Sequence, residues 1–539
     1  MSDWWKDAVI YHIYPRSFQD ANGDGVGDLP GITQRLGYLD WLGVDAIWLS
    51  PVYPSPMADF GYDVSDHCAI DPLFGSLADM EALIARAHAL GLKVIMDFVP
   101  NHTSEQHPWF QASKSSRTHP KRDWYVWKDP APDGGPPTNW LSRFDGASAW
   151  EWDAATEQYY LHTFLKEQPD LNWRTPDVRA AMCNVLRFWF DRGVDGFRVD
   201  VAYRVMKDPD FRDNPVNPDW EPGMDPSFRV VERYTKNTPD AHQFNRWIRR
   251  VADEYDDRVL IGEMNLEIPE LAAHYGRADA PEFHLPFNFR LVFSPWEAAN
   301  VEALVETYEA ECPAHGWPNW VLSNHDQPRF ATRAGRAQAR CGALFLLTAR
   351  GTSTLYYGDE LGMRNVTIPP EHVQDPWERL SPGLGLGRDP ERTPMRWDAS
   401  AHAGFCPPEA SPWLPVGTSA RTQNVALQRQ DDASMLQFVR HVIQLRTAHP
   451  ALRRGSCCTH PAPENVLLYE RSDGPARFLV ALNFRSRTHT VALPCAARPL
   501  LSTRMDDHHP DATQTLTLRA DEGVLLRAPD VRPDAGPDA

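Results

Sequence analysis

From Ala8 to Val99 the chain alternates between short apolar runs and amphipathic helical stretches, and that alternation admits few folds. Ala8–Tyr14, Val44–Ser50 and Lys93–Val99 read as strands. Between the first two, Ile32, Leu36 and Leu39 line one helical face; between the second and third, Met80, Leu83, Ile84 and Ala87 line another. The second helix opens on Ser76 with Asp79 three residues on, a capping box, and closes on Gly91. Strand, helix, strand at this spacing predicts parallel pairing through βαβ units. The rhythm resumes with a helix from Thr175-Pro176-Asp177 that turns Val178, Met182, Val185, Trp189 and Phe190 inward and ends at Gly193. Strands follow at Gly196–Val201, Arg258–Glu263, Glu282–Phe287, Trp320–Ser323 and Ser353–Tyr357. Eight strands with intervening helices predict an α/β fold, the (β/α)8 TIM barrel, whose sites gather at the C-terminal ends of the strands.

Three stretches break the rhythm. Residues 102–173 are rich in Pro, Gly, Asp and Trp and hold a hairpin-like run, Gln158–Phe164. The stretch is too long for an idle loop, which predicts a small inserted domain after the third strand and divides the barrel into 1–101 and 174–454. Residues 359–415 are a Pro/Gly/Arg-rich excursion, followed by an amphipathic helix with Leu436, Val439 and Ile443. From 455 to 539 short strands (Val466–Glu470, Arg477–Asn483, Thr488–Leu493, Gly523–Leu526) predict an all-β, sandwich-like C-terminal domain, with a disordered Pro/Asp-rich tail at Pro529–Ala539.

Composition narrows the partners. A net charge of −19 over 539 residues argues against nucleic acid and against an anionic membrane surface, and suits a small neutral substrate. Met1–Asp7 has acids and no apolar stretch, and no apolar run is long enough to span a bilayer, so a cytoplasmic monomer or small homo-oligomer is expected. The eight cysteines are scattered, without a C-x-x-C pair, and read as reduced thiols. The 20 tryptophans suit stacking on flat ligand faces, although core packing accounts for most of them.

The strand ends carry the chemistry. In Gly196-Phe197-Arg198-Val199-Asp200 a guanidinium and a carboxylate share one side of a strand, because side chains two apart face the same way. Alone, the pair reads equally well as a buried ion pair. Glu263 and Asp326 end two further strands. Two carboxyl groups about 5–5.5 Å apart are what double-displacement glycoside hydrolysis requires, and no cofactor is needed for it. No Ser or Cys triad, G-x-G-x-x-G loop or His-rich cluster competes. Nearer the N-terminus, Asp20, Asn22, Asp24 and Asp28, with the Val26 carbonyl, are spaced as oxygen ligands of a hard-cation loop, so a structural calcium or magnesium ion is expected. Gly31 stands where such loops carry a bidentate Glu; the alternative is a Gly-rich turn capped by Asp side chains.

Asp97-Phe98-Val99-Pro100-Asn101-His102, Gly196–Asp200, Gly262-Glu263 and Ser323-Asn324-His325-Asp326 resemble, in order, the four signature regions of the α-amylase family, glycoside hydrolase family 13. Gln168–Trp173 resembles the extra region of its oligo-1,6-glucosidase and α-glucosidase branch, and the likeness covers nearly the whole chain. The resemblance implies Asp200 as nucleophile, Glu263 as general acid/base and Asp326 as transition-state stabiliser. Arg198 would keep Asp200 ionised, Glu263 would carry a raised pKa, and His102 and His325 would bond glucosyl hydroxyls. Asp59 and Arg392 resemble the pair that bridges the glucosyl pocket in exo-acting members. Tyr62 would stack on the sugar, with Phe144 and Phe164 on the leaving side. Val201 after the nucleophile often accompanies α-1,6 substrates in this branch, but Ala202-Tyr203-Arg204 departs from the usual sequence, leaving linkage open.

The leading expectation is therefore a retaining exo-α-glucosidase acting on small oligosaccharides, with some transglucosylation. A glucosyltransferase or sugar isomerase would use the same acids. A non-catalytic scaffold of this fold would have lost them and carried a membrane anchor; this chain keeps the acids and shows no anchor.

Overall fold

The computed structural model describes residues 3–506, 508 and 511–530. Of the tail expected at Pro529–Ala539, residues 531–539 lie outside these. Strands β1 (Val9–Ile13), β2 (Ala46–Leu49), β3 (Lys93–Phe98), β4 (Gly196–Val199), β5 (Val259–Met264), β6 (Leu285–Asn288), β7 (Asn319–Val321) and β8 (Thr352–Tyr356) form one parallel sheet in the order β6-β5-β4-β3-β2-β1-β8-β7. Its two ends meet through a side chain: Asn319 accepts the Asn288 N–H at 3.0 Å and donates to the Pro286 carbonyl at 2.5 Å. The sheet thereby closes into the barrel.

The period of two sorts the strand residues. Ile10, Trp48, Ile95, Ile261 and Phe287 fill the barrel interior. Val9, Tyr11, Ile47, Val94, Met96 and Leu260 instead pack in the larger core against the surrounding helices. Gly196 belongs to the inner set, and a Cβ there would stand 2.3 Å from Val259 Cγ1. Only glycine lets β4 lie so close to β5 beneath Arg198. The helices Leu29–Leu42, Leu77–Ala89 and Pro176–Phe190 form where expected, the second with both bonds of its Ser76–Asp79 capping box. The sixth strand begins at Leu285, three residues later than expected, because Glu282 is drawn away from the sheet by His242 and Arg246.

Between β3 and β4 stands a small antiparallel sheet of Trp127–Lys128, Gln158–Leu161 and Trp150–Asp153. Beyond β8, residues 359–415 hold only short helical turns and irregular chain. The C-terminal region is a six-stranded antiparallel sheet that includes two strands without a clear sequence signal, Ser456–His460 and Thr513–Leu518. Its long strand His489–Ser502 pairs first with Thr513–Leu518 and then, past a bulge, with Gly523–Ala528. Leu468, Leu479, Val491, Leu516 and Val524 share one apolar cluster, so the sheet curls over on itself. All eight cysteines are free thiols, and among the described residues no helix is long and apolar enough to cross a membrane.

Candidate active site

The C-terminal ends of β3, β4 and β5 deliver Asp97, Arg198 and Glu263 to the inside of the barrel. Register fixes this: Asp97 pairs with Arg198, and Arg198 with Ile261, two residues before Glu263. Arg198 is 1% exposed, and its Nη1 donates to both Asp97 oxygens at 2.8 and 3.0 Å and to Asp200 Oδ1 at 2.8 Å. Its Nη2 lies 2.7 Å from Glu263 Oε2. Three carboxyl groups thus share one guanidinium, and a cluster with that charge imbalance retains a proton. Burial, together with Glu263, Asp97 and Asp326, pushes Asp200 well above the usual carboxylate range, outweighing the pull of Arg198. Arg198 favours the ionised form of Asp200, as expected, but burial and the neighbouring acids oppose it. Burial also raises Asp97.

Immediately after Asp200 the backbone turns left-handed: Val201 has φ +36°, a conformation that β-branched residues rarely adopt. The turn aims the Val201 N–H at Glu263 Oε2, 2.8 Å away. Backbone strain of roughly 1–3 kcal/mol is thereby placed between the two acids.

Asp326 follows β7 and faces the same space. Burial opposes its ionisation, but Arg388, at 3.2 Å, and Arg392, at 2.8 Å, hold it below the usual range. The expected bridge between Asp59 and Arg392 is not formed. Arg388 takes that place, its Nη2 donating to Asp59 at 2.7 Å and to Asp375 at 2.6 Å. Arg392 follows the short helical turn Asp389–Glu391, is 1% exposed, and instead donates to the His325 carbonyl at 2.7 Å and to Asp326. His325 also differs from expectation. It is fully buried, with Nε2 2.6 Å from the Tyr62 hydroxyl and 3.2 Å from Asp326, behind the ring that was expected to meet sugar. Burial lowers its pKa, and lowers that of His102 to about 4, so both are neutral near pH 7.

These groups border a cavity of about 350 Å³. Asp200, Glu263 and Asp326 reach it from the barrel; Asp59, Tyr62 and His102 come from the loops after β2 and β3. Phe144 and Phe164 face it from the inserted region. Arg198, His325 and Arg392 stand behind its wall, where they position other residues. Sequence reading passed over Arg388 and Trp377 from the excursion, and Lys236 with the paired Arg204 and Glu232 from the segment after β4, all of which line the cavity. Arg388 lies four residues before Arg392 in an arginine-rich stretch, and nothing local distinguishes the two.

In the Asp20–Asp28 loop the side chains cap backbone N–H groups. Asp20 accepts from Gly23 and Gly25, Asn22 from Asp24, Asp24 from Val26, and Asp28 from Ala21 and Gly31. Asp28 Oδ2 already accepts from both Ala21 and Asn22, but the oxygens of Asp20, Asn22 and Asp24 each accept one bond and keep a second lone pair, an all-oxygen donor set that fits a hard cation. Gly31 replaces the bidentate Glu for a steric reason, since a Cβ there would lie 2.1 Å from the Gln19 carbonyl oxygen.

The family model for the alpha amylase catalytic domain matches residues 12–455. A probable alpha-glucosidase of Rhizobium meliloti is 42% identical over 511 residues, 91% of each chain. An oligo-1,6-glucosidase of Parageobacillus thermoglucosidasius is 38% identical over 527 residues, 91% of this chain and 92% of that one. Among solved structures, the alpha-glucosyl transfer enzyme XgtA superposes with a TM-score of 0.92 at 41% identity, covering 98% of this chain and 100% of its own. The trehalulose synthase MutB of Pseudomonas mesoacidophila superposes with a TM-score of 0.89 at 33% identity and the same coverage. With the acids gathered at the C-terminal end of the barrel and likeness over almost its entire length, the chain belongs to the alpha-amylase family, in its alpha-glucosidase and oligo-1,6-glucosidase branch, and is a glycoside hydrolase.

Proposed function

We propose that the protein is a retaining, exo-acting α-glucosidase that removes the non-reducing terminal glucose of short α-glucosides by double displacement, with transglucosylation as a side reaction. The observation that carries this is the grip of Arg198 on Asp200 and Glu263 through its two terminal nitrogens, at 2.8 and 2.7 Å, which sets two carboxyl groups side by side at one cavity. Retaining glycosidases need that closeness; inverting ones leave room between their carboxyls for a water.

Asp200 attacks the anomeric carbon while Glu263 gives its proton to the departing oxygen, leaving a glucosyl ester on Asp200. Glu263, now a carboxylate, takes a proton from water; the water oxygen bonds to the anomeric carbon and the ester bond breaks. Two inversions retain the α configuration. The productive form carries the cluster's proton on Glu263, whose Oε2 accepts from Arg198 and Val201 and leaves Oε1 for the proton. Asp326, held ionised by two arginines, stabilises the positive charge that develops on the sugar. The Asp59–Arg388 pair supports exo-action by presenting charged groups to terminal hydroxyls. A calcium or magnesium ion in the Asp20–Asp28 loop, a cytoplasmic setting and a monomer or small homo-oligomer complete the reading.

A second reading, glucosyl transfer or isomerisation, is favoured by the likeness to XgtA and MutB and by the aromatic wall of Phe144, Phe164, Phe289 and Trp377. A product time course on maltose, isomaltose, sucrose and trehalose, beside Asp200→Asn, separates the two. Free α-glucose that disappears in the variant supports the hydrolase. New disaccharides with little free glucose move the assignment to transfer. No turnover of any of them overturns both.

A further inference from the structure

Outside the catalytic cavity, one cluster brings imidazole and carboxylate ligands together. His242 lies in the first turn of the helix Ala241–Ala252, His274 caps the helix Ile268–Ala273, and Glu282 follows the small hairpin Gly276–Arg277/Ala280–Pro281. One ligand atom from each lies within 4.8 Å of the others, the sole such group of His, Cys, Asp and Glu among the described residues. His242 Nδ1 stands 2.9 Å from Glu282 Oε2. We infer that His242, His274 and Glu282 form a site for a divalent transition-metal ion, zinc matching the donor set best, with Asn245 as a fourth ligand.

The surroundings orient each ligand as metal sites do. The Asn237 side-chain carbonyl lies 2.9 Å from His274 Nε2 and accepts its N–H, which leaves Nδ1 unprotonated with its lone pair turned toward Asn245. Arg246 holds Glu282 Oε1 at 2.8 Å, so Oε2 is the oxygen turned to the cluster. Asn245 supplies the independent observation. It is fully buried, its Nδ2 lies 2.8 Å from both His274 Nδ1 and Glu282 Oε2, and its Oδ1 has no hydrogen-bond partner. A buried, unpartnered amide oxygen is costly. Half a turn of the amide exchanges the two atoms and places Oδ1 where Nδ2 now sits, 2.8 Å from both His274 Nδ1 and Glu282 Oε2. Two nitrogen and two oxygen donors from three segments suit tetrahedral zinc. Entry is from the His242 side, whose side chain is 31% exposed.

The position links this ion to the cavity. Asn237, the partner of His274, has φ +50° and donates its backbone N–H to the Tyr203 carbonyl at 2.7 Å. Tyr203 and Lys236 both line the catalytic cavity. The ion therefore pins the segment that forms one cavity wall.

The test is zinc uptake by the full-length protein after stripping with a chelator, followed by calorimetry and by cobalt(II) visible absorption. One equivalent of zinc, a tetrahedral cobalt spectrum and a raised Tm are expected. His274→Gln and Glu282→Gln each weaken binding about tenfold or more, whereas Asp20→Asn, in the hard-cation loop, leaves it unchanged. If His274→Gln fails to fold, His242→Ala, at a part-exposed helix position, gives the same readout. No uptake at micromolar zinc, or equal uptake by wild type and the ligand variants, overturns the proposal and leaves a plain hydrogen-bond network.

Discussion

Arg198, Arg388 and Arg392 divide the work of holding four acids. Arg198 spaces Asp200 and Glu263, Arg388 joins Asp59 to Asp326 through one fork, and Arg392 anchors Asp326 from behind. The assignment of Arg388, not Arg392, to Asp59 is directly testable by double-mutant cycles. Truncating one member of a buried charge pair costs roughly 2–5 kcal/mol, much of it from the charge left unpaired. Arg388→Ala is therefore expected to lower kcat/KM by about two to three orders of magnitude. Asp59→Ala combined with Arg388→Ala shows a coupling of roughly 0.5–3 kcal/mol, and Asp59→Ala with Arg392→Ala a clearly smaller one. The reverse order of couplings would reinstate Arg392 as the partner.

At the scale of elements, two turns next to the barrel carry their own chemistry. The turn Asp359–Leu361 after β8 buries Glu360, whose Oε1 accepts from Tyr11 of β1 and Tyr38 of the first long helix, both at 2.7 Å. Burial raises its pKa from 4.5 to about 7. The sign follows: the neutral acid is favoured in the folded state, so the contribution is full below pH 4.5 and is lost as the pH rises through about 7. Relative to Glu360→Gln, the wild type is expected to lose about 3 kcal/mol between roughly pH 4 and pH 8. Denaturant titrations of both proteins across that range check it, and parallel stability curves would refute it. The Asp20–Asp28 loop is a different case, because its side-chain oxygens already cap the loop's own backbone N–H groups and a bound cation would add to those bonds. Chelation is expected to lower Tm by a few degrees and added calcium or magnesium to restore it, on the order of 1–2 kcal/mol of linkage. Asp20→Asn removes the response to calcium or magnesium, while a Tm that added calcium and magnesium leave unchanged would make the loop a self-capped turn.

Across the whole molecule, a cavity of about 350 Å³ is assembled from the barrel, the inserted sheet and the excursion after β8. Its barrel side was legible in the sequence, because a period of two along the strands suffices to place Arg198 beside Asp200 and to bring Glu263 to the same end of the barrel. The parallel rhythm likewise declared the eight strands. The excursion side was not legible: Arg388 reaches Asp59 across more than three hundred residues, and no local period encodes an ion pair made by irregular chain. His325 was misplaced for a related reason, since its motif marks it as near the acids but burial behind Tyr62 is a tertiary fact. Ser456–His460 and Thr513–Leu518 escaped notice because edge strands alternate weakly, and Thr513–Leu518 buries only two of its side chains.

In the proposed double displacement Asp200, beside Glu263 on one guanidinium, forms a covalent bond to the sugar. A fluorinated glucosyl fluoride that accumulates the glucosyl-enzyme, followed by peptide mapping by mass spectrometry, tests it most directly. One ester is expected, on the peptide carrying Asp200, absent in Asp200→Asn and turned over slowly on adding a sugar acceptor. Steady turnover with no adduct, or an ester on another residue, would contradict it.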